Sequence, residues 1–153
     1  MARQSQPSNF DDENAEKLPE VGTSRDYKHC HPELIKRFIA LTTEFSNVNP
    51  GRALIVTCTY RSVAEQSRLY AQGRNGNLGA IVTNCDGKRN PSKHNVFPAR
   101  AIDVCVLVGG KTTWDEKDYW PILPLAKKHG LVHGGSWVKF PDWPHVQLPD
   151  DVG

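Results

Sequence analysis

Four side chains in two separated stretches of the sequence are of the types that bind a divalent metal and activate water. His94 and Asp103 lie in the first stretch, and Asp142 and His145 lie in the second. Each histidine can offer a neutral imidazole nitrogen and Asp103 a carboxylate oxygen. Catalytic zinc sites use this set of three ligands and leave a fourth position for water. Asp142 would then be free to take a proton from that water. The pattern predicts a zinc site with hydrolytic chemistry.

Each of these residues also has an ordinary structural interpretation. Asp103 lies in an apolar run, where it could simply accept hydrogen bonds from loop amides, although an unpaired carboxylate there would be costly. His145 could be a polar residue stacked between Trp143 and a sheet. The other histidines are interpreted as ordinary surface or core residues: His29, His31, His129 and His133.

Length, charge and cysteine spacing restrict the classes of protein to consider. A chain of 153 residues with 38% hydrophobic content suits one domain with its own core. Its 19 Lys and Arg against 17 Asp and Glu give a net charge of +2, without the concentrated basic surface of a nucleic-acid binder. We therefore expect no nucleic-acid partner and rank a DNA-binding function lowest. The cysteines form no CxxC pair and are expected to be buried or free thiols, with one disulfide left open: Cys30, Cys58, Cys85 and Cys105.

The sequence gives no membrane or export signal. The residues after Met1 lack the basic start and apolar core of a signal peptide, and no apolar run approaches the roughly 20 residues that span a bilayer. We expect a protein that is made in the cytoplasm and does not insert stably in a membrane.

The chain divides into a polar arm, residues 1–24, and a single domain, residues 25–153. The arm lacks a sustained apolar period and is expected to be flexible. In the domain, apolar residues at helical spacing predict a first helix from Pro32 to about Asn49. Ser62 predicts the start of a second helix, with Glu65 completing a capping box and the helix ending at Gly73.

Short strands make up most of the rest of the predicted domain. The run 53–60 predicts a buried strand, and 101–108 predicts a central strand that holds Asp103. Smaller strands are predicted at 80–83, 138–140 and 145–148. A helical segment is predicted from about Asp115 or Tyr119 through Lys128, interrupted near Pro121 and Pro124. This pattern predicts an α+β domain with a small antiparallel sheet.

The spacing of these residues resembles a known family. Ser92-x-His94, Ala101-x-Asp103 and Asp142-x-x-His145 look like the motifs of the LAS/VanY-type zinc peptidases of the M15 group. The similarity extends from about His29 to Leu148, and it is greatest to bacteriophage endolysins that are L-alanyl-D-glutamate peptidases. The resemblance implies the small α+β fold shared with D-Ala-D-Ala carboxypeptidases and the Hedgehog amino-terminal domain.

Residue roles follow from the resemblance, position by position. It implies that His94, Asp103 and His145 are the zinc ligands, that Asp142 is the general base, and that Arg61 stabilises the oxyanion. An always-charged guanidinium suits that last role. Residues expected to bind substrate are Ser92, Gln66, Trp137 and Trp143.

Two features depart from the common form of the family motif. His94 and Asp103 are nine positions apart, where seven is usual, and the interval contains no glycine. The version Pro98-x-Arg100-Ala101-x-Asp103 nevertheless resembles one branch of the phage enzymes. Asp142 also stands where many relatives have glutamate.

The implied function is that of an antimicrobial phage endolysin. It would be a monomeric zinc-dependent endopeptidase that cuts the L-alanyl-D-glutamate bond of peptidoglycan and lyses the host. It would reach the cell wall from the host cytoplasm through a membrane pore. Two alternatives stay open: a D-Ala-D-Ala carboxypeptidase or dipeptidase with the same site, and a non-catalytic wall-binding module that holds zinc.

Overall fold

The structure is a computed structural model that describes residues 22–153. Most of the predicted arm lies outside the described residues. Residues 22–24, which the prediction assigned to the arm, hydrogen-bond to the chain after the first strand. The Ser24 amide donates to the Tyr60 carbonyl oxygen at 2.8 Å, and the Thr59 amide donates to the Ser24 carbonyl oxygen at 2.7 Å. These three residues therefore pack as part of the domain.

Within residues 22–153, four α-helices form where the sequence favours them: α1 at Pro32–Val48, α2 at Val63–Ala71, α3 at Glu116–Tyr119 and α4 at Ile122–Lys128. Pro32 occupies the first turn of α1, where a missing amide hydrogen costs nothing. Ser62 caps α2 by accepting from the Glu65 amide at 3.1 Å. The reciprocal half of the predicted capping box is absent because the Glu65 carboxylate binds Arg68.

In the part of the chain that the structure describes, five strands form one antiparallel sheet: β1 at Arg52–Cys58, β2 at Ala101–Val108, β3 at Lys111–Thr113, β4 at Val132–His133 and β5 at His145–Gln147. The order is β1-β2-β5-β4, and β3 also pairs with β2. β1 pairs with Asp103–Val108 of β2, while β5 pairs with Ala101–Asp103 and β3 with Val106–Val108. β2 is therefore the central strand, and the predicted α+β class with a small antiparallel sheet is confirmed.

The two faces of β2 have different neighbours. Ile102, Val104 and Val106 lie in a hydrophobic cluster that also includes residues of α1 and α4. Side chains alternate across a strand, so Asp103 lies on the opposite face. The register places Asp103 opposite Cys58 of β1 and opposite His145 of β5. Three polar side chains thus form a row across three strands, on the face away from that cluster.

Two of the predicted short strands do not form. Residues 80–83 lie in a loop, where side chains take the backbone acceptors that a partner strand would use. Gln72 Nε2 donates to the Ala80 carbonyl oxygen at 2.9 Å, and Arg74 Nη1 donates to the Thr83 carbonyl oxygen at 3.1 Å. Residues 138–140 form a bend in which the Val138 side chain is 95% exposed, so its apolar alternation does not face a core.

Among the helices of the described residues, none combines the length and the apolar character needed to cross a membrane.

Candidate metal and active site

His94, Asp103 and His145, the three predicted zinc ligands, lie together in the structure. Asp103 Oδ1 lies 3.2 Å from His94 Nε2 and 3.1 Å from His145 Nδ1. The two ring nitrogens are themselves 3.3 Å apart. Asp103 and His145 are opposite each other in the sheet, and His94 reaches them from the loop between α2 and β2.

Backbone contacts fix the position of His94 although it lies in a loop. The Arg61 amide donates to the His94 carbonyl oxygen at 2.8 Å, and Ser92 Oγ accepts from the His94 amide at 3.2 Å. Asn95 Nδ2 also donates to the Arg61 carbonyl oxygen at 3.0 Å. The loop is therefore tied to the chain that follows β1.

Hydrogen bonds on the far side of each ring determine which nitrogen is free. His94 Nδ1 donates to the Thr59 carbonyl oxygen at 2.7 Å, and His145 Nε2 donates to Gln147 Oε1 at 2.8 Å. In the neutral rings, His94 Nε2 and His145 Nδ1 then carry lone pairs, and both face the Asp103 carboxylate. Because acceptor atoms that face one another repel, a cation between them would stabilise this arrangement.

The geometry fits a tetrahedral metal. Donor atoms about 2.0–2.1 Å from a tetrahedral zinc ion lie roughly 3.3 Å from one another, which matches the separations of these three atoms. His94 is 1% exposed and His145 is 5% exposed, so the imidazoles are shielded from competing water. The ring nitrogens that face away from this point are hydrogen-bonded, as in metal sites where such bonds fix the histidine tautomer.

The electrostatics of these side chains are strongly coupled. Burial alone would lower the pKa of His94, but the negative charge of Asp103 and a hydrogen bond to it raise that pKa to about 10. Burial alone would raise the pKa of Asp103, but His94 and His145 hold it well below its usual range. The Asp103 carboxylate is therefore ionised and strongly favours a positive partner, whether a proton or a metal ion.

Asp142 lies beside this centre. One of its carboxylate oxygens is 3.9 Å from His145 Nδ1, and its side chain is 42% exposed. Asp142, Asp103 and His145 can each bring a ligand atom within 4.8 Å of the others. Partial burial, followed by the negative charge of Asp103, raises the pKa of Asp142. A carboxylate with a raised pKa is suited to take up and release a proton.

Arg61 lies on the other side of the Asp103 carboxylate. Its Nη2 is 3.4 Å from Asp103 Oδ2 and 3.3 Å from Cys58 Sγ, and its Nη1 donates to Gln66 Oε1 at 2.8 Å. The Arg61 side chain is 15% exposed. A mostly buried positive charge is thus placed next to the three converging groups.

A cavity of about 570 Å³ opens over the centre. Its walls include two of the residues predicted to bind substrate, Ser92 and Trp137, together with Arg61 and Asp142. The other two lie outside the lining. Gln66 is fully buried, and Trp143 packs against the hydrophobic core.

Sequence reasoning missed three residues that contact the centre. Cys58 Sγ lies 3.5 Å from His94 Nδ1, and Cys58, His94 and Asp103 form a second group able to bring ligand atoms within 4.8 Å of one another. Thr59 and Gln147 hold the two imidazoles. Gln147 could have been found, because it follows His145 by two positions and therefore points to the same face of a strand.

No family model matches the chain. The chain is 34% identical over 110 residues to the peptidoglycan L-alanyl-D-glutamate endopeptidase CwlK of Bacillus subtilis (strain 168). The match covers 65% of this chain and 63% of that relative, just under two thirds of its length.

Solved structures share the fold. The L-Ala D-Glu endopeptidase ChiX of Serratia marcescens superposes with a TM-score of 0.59 at 23% identity, over 89% of this chain and 93% of that one. The LD-carboxypeptidase LdcB gives 0.56 at 18% identity, over 85% and 72%. The L,D-carboxypeptidase DacB of Streptococcus pneumonia gives 0.52 at 18% identity, over 82% and 70%.

The fold is therefore that of the LAS/VanY-like peptidases. Together with the sequence relative, these structures support the resemblance to M15-type peptidases that the motifs predicted.

Proposed function

We propose that this chain is a metal-dependent peptidoglycan endopeptidase that hydrolyses the L-alanyl-D-glutamate bond. The observation that carries the proposal is the convergence of His94 Nε2, His145 Nδ1 and Asp103 Oδ1 at 3.1–3.3 Å beneath an open cavity. The bond is inferred from the relatives, since CwlK and ChiX are both named as endopeptidases of this bond.

We propose zinc as the metal and His94, Asp103 and His145 as its ligands. Two imidazole nitrogens and one carboxylate oxygen form the donor set of hydrolytic zinc sites with an open position. A bound zinc ion would act as a Lewis acid on the scissile carbonyl and lower the pKa of water towards about 7.

The proton transfers are assigned to Asp142. As a carboxylate it accepts a proton from the attacking water, whose oxygen forms a new bond to the scissile carbonyl carbon. When the carbon–nitrogen bond breaks, the same carboxyl group passes that proton to the departing amine of D-glutamate. The raised pKa of Asp142 supports both steps, because the group then holds a proton more readily than an ordinary aspartate.

Arg61 is assigned to the developing negative charge. Its guanidinium lines the cavity and lies next to Asp103. In a site largely shielded from water, an oriented positive charge stabilises an oxyanion much more than it would in water. Ser92 and Trp137 are proposed to contact the stem peptide, because both line the cavity.

We also propose that the chain acts as a phage endolysin with antimicrobial action. Support for this comes from the sequence pattern alone, namely Pro98-x-Arg100-Ala101-x-Asp103. A monomer would then act on the bacterial cell wall after leaving the host cytoplasm. Addition of the purified protein to permeabilised cells from a panel of bacteria, with loss of turbidity as the readout, tests this part.

Mass spectrometry of digested peptidoglycan tests the reaction itself. Purified sacculi are incubated with the wild type, with the wild type plus a chelator that is later titrated with zinc, and with Asp142→Ala. We expect fragments with a new amino-terminal glutamate from the wild type alone and from the zinc-restored sample. Fragments that persist with Asp142→Ala would contradict the assignment of Asp142 as the general base. Fragments that persist with chelator would contradict the dependence on a metal.

A second candidate reaction is cleavage at the carboxyl end of the stem peptide. The observation that favours it is the shared fold with the carboxypeptidases LdcB and DacB. The same digests decide between the two reactions, since a carboxypeptidase releases free D-alanine and creates no amino-terminal glutamate. If the protein binds zinc one to one but releases neither product, the site belongs to a wall-binding module.

A further inference from the structure

The amide of Gln66 is fully buried and hydrogen-bonded at both ends. Gln66 lies on α2, and its exposure is 0%. Its Oε1 accepts from Arg61 Nη1 at 2.8 Å, while its Nε2 donates to Thr83 Oγ1 at 3.2 Å and to the Cys85 carbonyl oxygen at 2.9 Å. One side chain therefore joins Arg61 to the loop that follows α2.

The contact with Gln66 is the shortest that the Arg61 guanidinium makes. The Nη2 group approaches Asp103 and Cys58 at 3.4 Å and 3.3 Å, and Nε is buried without a hydrogen-bond partner among the described residues. Without Gln66, one edge of the guanidinium would lose its strongest support. The group could then turn towards Asp103 or towards solvent.

The residues that Gln66 contacts in the loop belong to the wall of the cavity. Thr83 and Cys85 both line it, as does Arg61. Further along the loop, Gly87 has a φ of +87°, and a Cβ there would lie 3.1 Å from the Gln66 Cβ. The loop is thus packed closely around the buried amide.

We propose that Gln66 is a positioning residue that sets both the orientation of the Arg61 guanidinium and the place of the Thr83–Cys85 wall. This inference rests on the proposed function, because it assigns Arg61 to the oxyanion. It also replaces the expectation that Gln66 binds substrate directly, since a residue with no exposed surface cannot do so in this conformation.

An amide is the side chain that this position requires. It offers one acceptor to the guanidinium and two donor hydrogens to Thr83 and to the Cys85 carbonyl. A glutamate of equal length would keep the acceptor for Arg61, but it would place a carboxylate against the Cys85 carbonyl oxygen, which can only accept a hydrogen bond. Gln66→Glu is thus expected to keep the orientation of the Arg61 guanidinium but to displace the Thr83–Cys85 wall.

Kinetic measurements on peptidoglycan fragments test the first part of the proposal, that Gln66 orients Arg61. We expect Gln66→Ala to lower kcat on the order of 100-fold, as a misplaced catalytic group does. In an Arg61→Ala background, the same change should lower kcat by less than about 3-fold, because residues that act together are not additive. Equal losses in the two backgrounds would overturn the proposal. Ser67→Ala is the matched control, since it removes one bond from α2 to the loop, at 2.8 Å to the Asp86 carbonyl oxygen, without touching Arg61.

Labelling of Cys85 by a thiol reagent tests the second part of the proposal, that Gln66 holds the Thr83–Cys85 wall in place. This measurement does not depend on enzymatic activity. The other three cysteines are buried, whereas Cys85 is partly exposed. We expect Gln66→Ala, Gln66→Glu and Thr83→Val to raise the labelling rate of Cys85 at least several-fold over the wild type and over Ser67→Ala, with unchanged circular dichroism. Thr83→Val keeps the result decisive if Gln66→Ala does not fold. Labelling that stays at the wild-type rate in the folded variants would overturn this half.

The two experiments separate the inference from the proposed function. If the wild type cleaves no peptidoglycan, the proposed function fails and the assignment to Arg61 fails with it. The Cys85 labelling rates still decide whether Gln66 holds the wall.

Discussion

The backbone amide of Asp142 donates a hydrogen bond to the carbonyl oxygen of Gly134, and the two atoms are 2.9 Å apart. The segment that carries Asp142 lies directly on the turn Gly134–Ser136. A Cβ on Gly134 would lie 2.3 Å from the Asp142 carbonyl oxygen, so only glycine fits there. The turn therefore determines how far the Asp142 carboxylate reaches over the three converging groups.

Substitution of that glycine should move Asp142. We expect Gly134→Ala to destabilise the fold by about 1–3 kcal/mol, as overpacking commonly does, and to reduce activity more than the loss of stability explains. Thermal unfolding and kcat are measured together. Gly153→Ala is the control, because a Cβ there meets nothing within 4 Å. Full activity in Gly134→Ala would show that the segment tolerates displacement.

Asp142→Asn should remove the proton acceptor while keeping the shape of the side chain. We expect kcat to fall by about 10²–10⁴-fold, the usual contribution of a general base. Zinc content, measured by elemental analysis, and the unfolding midpoint should stay close to those of the wild type. Asp151→Asn on the exposed tail is the charge-matched control. If zinc is lost along with activity, Asp142 is a ligand and not the base.

Gln147 should affect metal binding through His145. Its Oε1 accepts from His145 Nε2 at 2.8 Å, and loss of such a partner weakens metal binding by about 10–100-fold. We therefore expect Gln147→Leu to bind zinc more weakly in a competition titration with a chromophoric chelator. Gln147→Glu keeps an acceptor oxygen and should restore most of the affinity. Equal affinities for the two variants would argue against this hydrogen bond as the cause.

His133 should make the fold sensitive to mild acid. Burial lowers its pKa, although a hydrogen bond to the Trp143 carbonyl oxygen opposes the shift. The unfolded chain, with an ordinary histidine pKa of about 6.5, then binds a proton more readily than the folded chain. Stability is complete above that pH and is lost as the pH falls towards the lowered folded value.

Between pH 7.5 and pH 5.0 the unfolding temperature of the wild type should thus fall relative to that of His133→Gln. The comparison isolates His133, because the other titrating groups, among them His94 with its raised pKa, are common to both proteins. Unfolding curves measured at several pH values, without added metal, give the comparison. Parallel curves for the two proteins would assign the acid sensitivity to other groups.

The sequence predicted those parts of the fold that follow from local periodicity. Leu34, Phe38, Leu41 and Phe45 recur at helical spacing, and all four are buried on α1. Val138 and Phe140 alternate like a strand, but among the described residues no strand pairs with them, and both are exposed. Periodicity indicates which side chains could share a face, whereas a strand also needs a hydrogen-bonding partner.

Only those side chains of the candidate site that belong to a sequence motif could be predicted. His94, Asp103 and His145 were identified from their types and spacing, and the structure brings them together. Cys58 could not be found in this way. The register shifts between Val56 and Cys58, so that Cys58 and not Thr57 lies opposite Asp103. A one-residue irregularity of this kind is determined by the pairing of the strands and leaves no clear mark in the sequence.

The direct pairing of Asp103 with His145 bears on how such a site tolerates change. Because these two residues are neighbours across β2 and β5, the pleat of the sheet sets their separation, and the length of the connecting chain does not. Of the three residues, only His94 is positioned by a loop. That loop accommodates the additional residues between His94 and Asp103. Insertions and deletions could therefore accumulate around the centre during divergence, while two of its three converging groups keep their geometry.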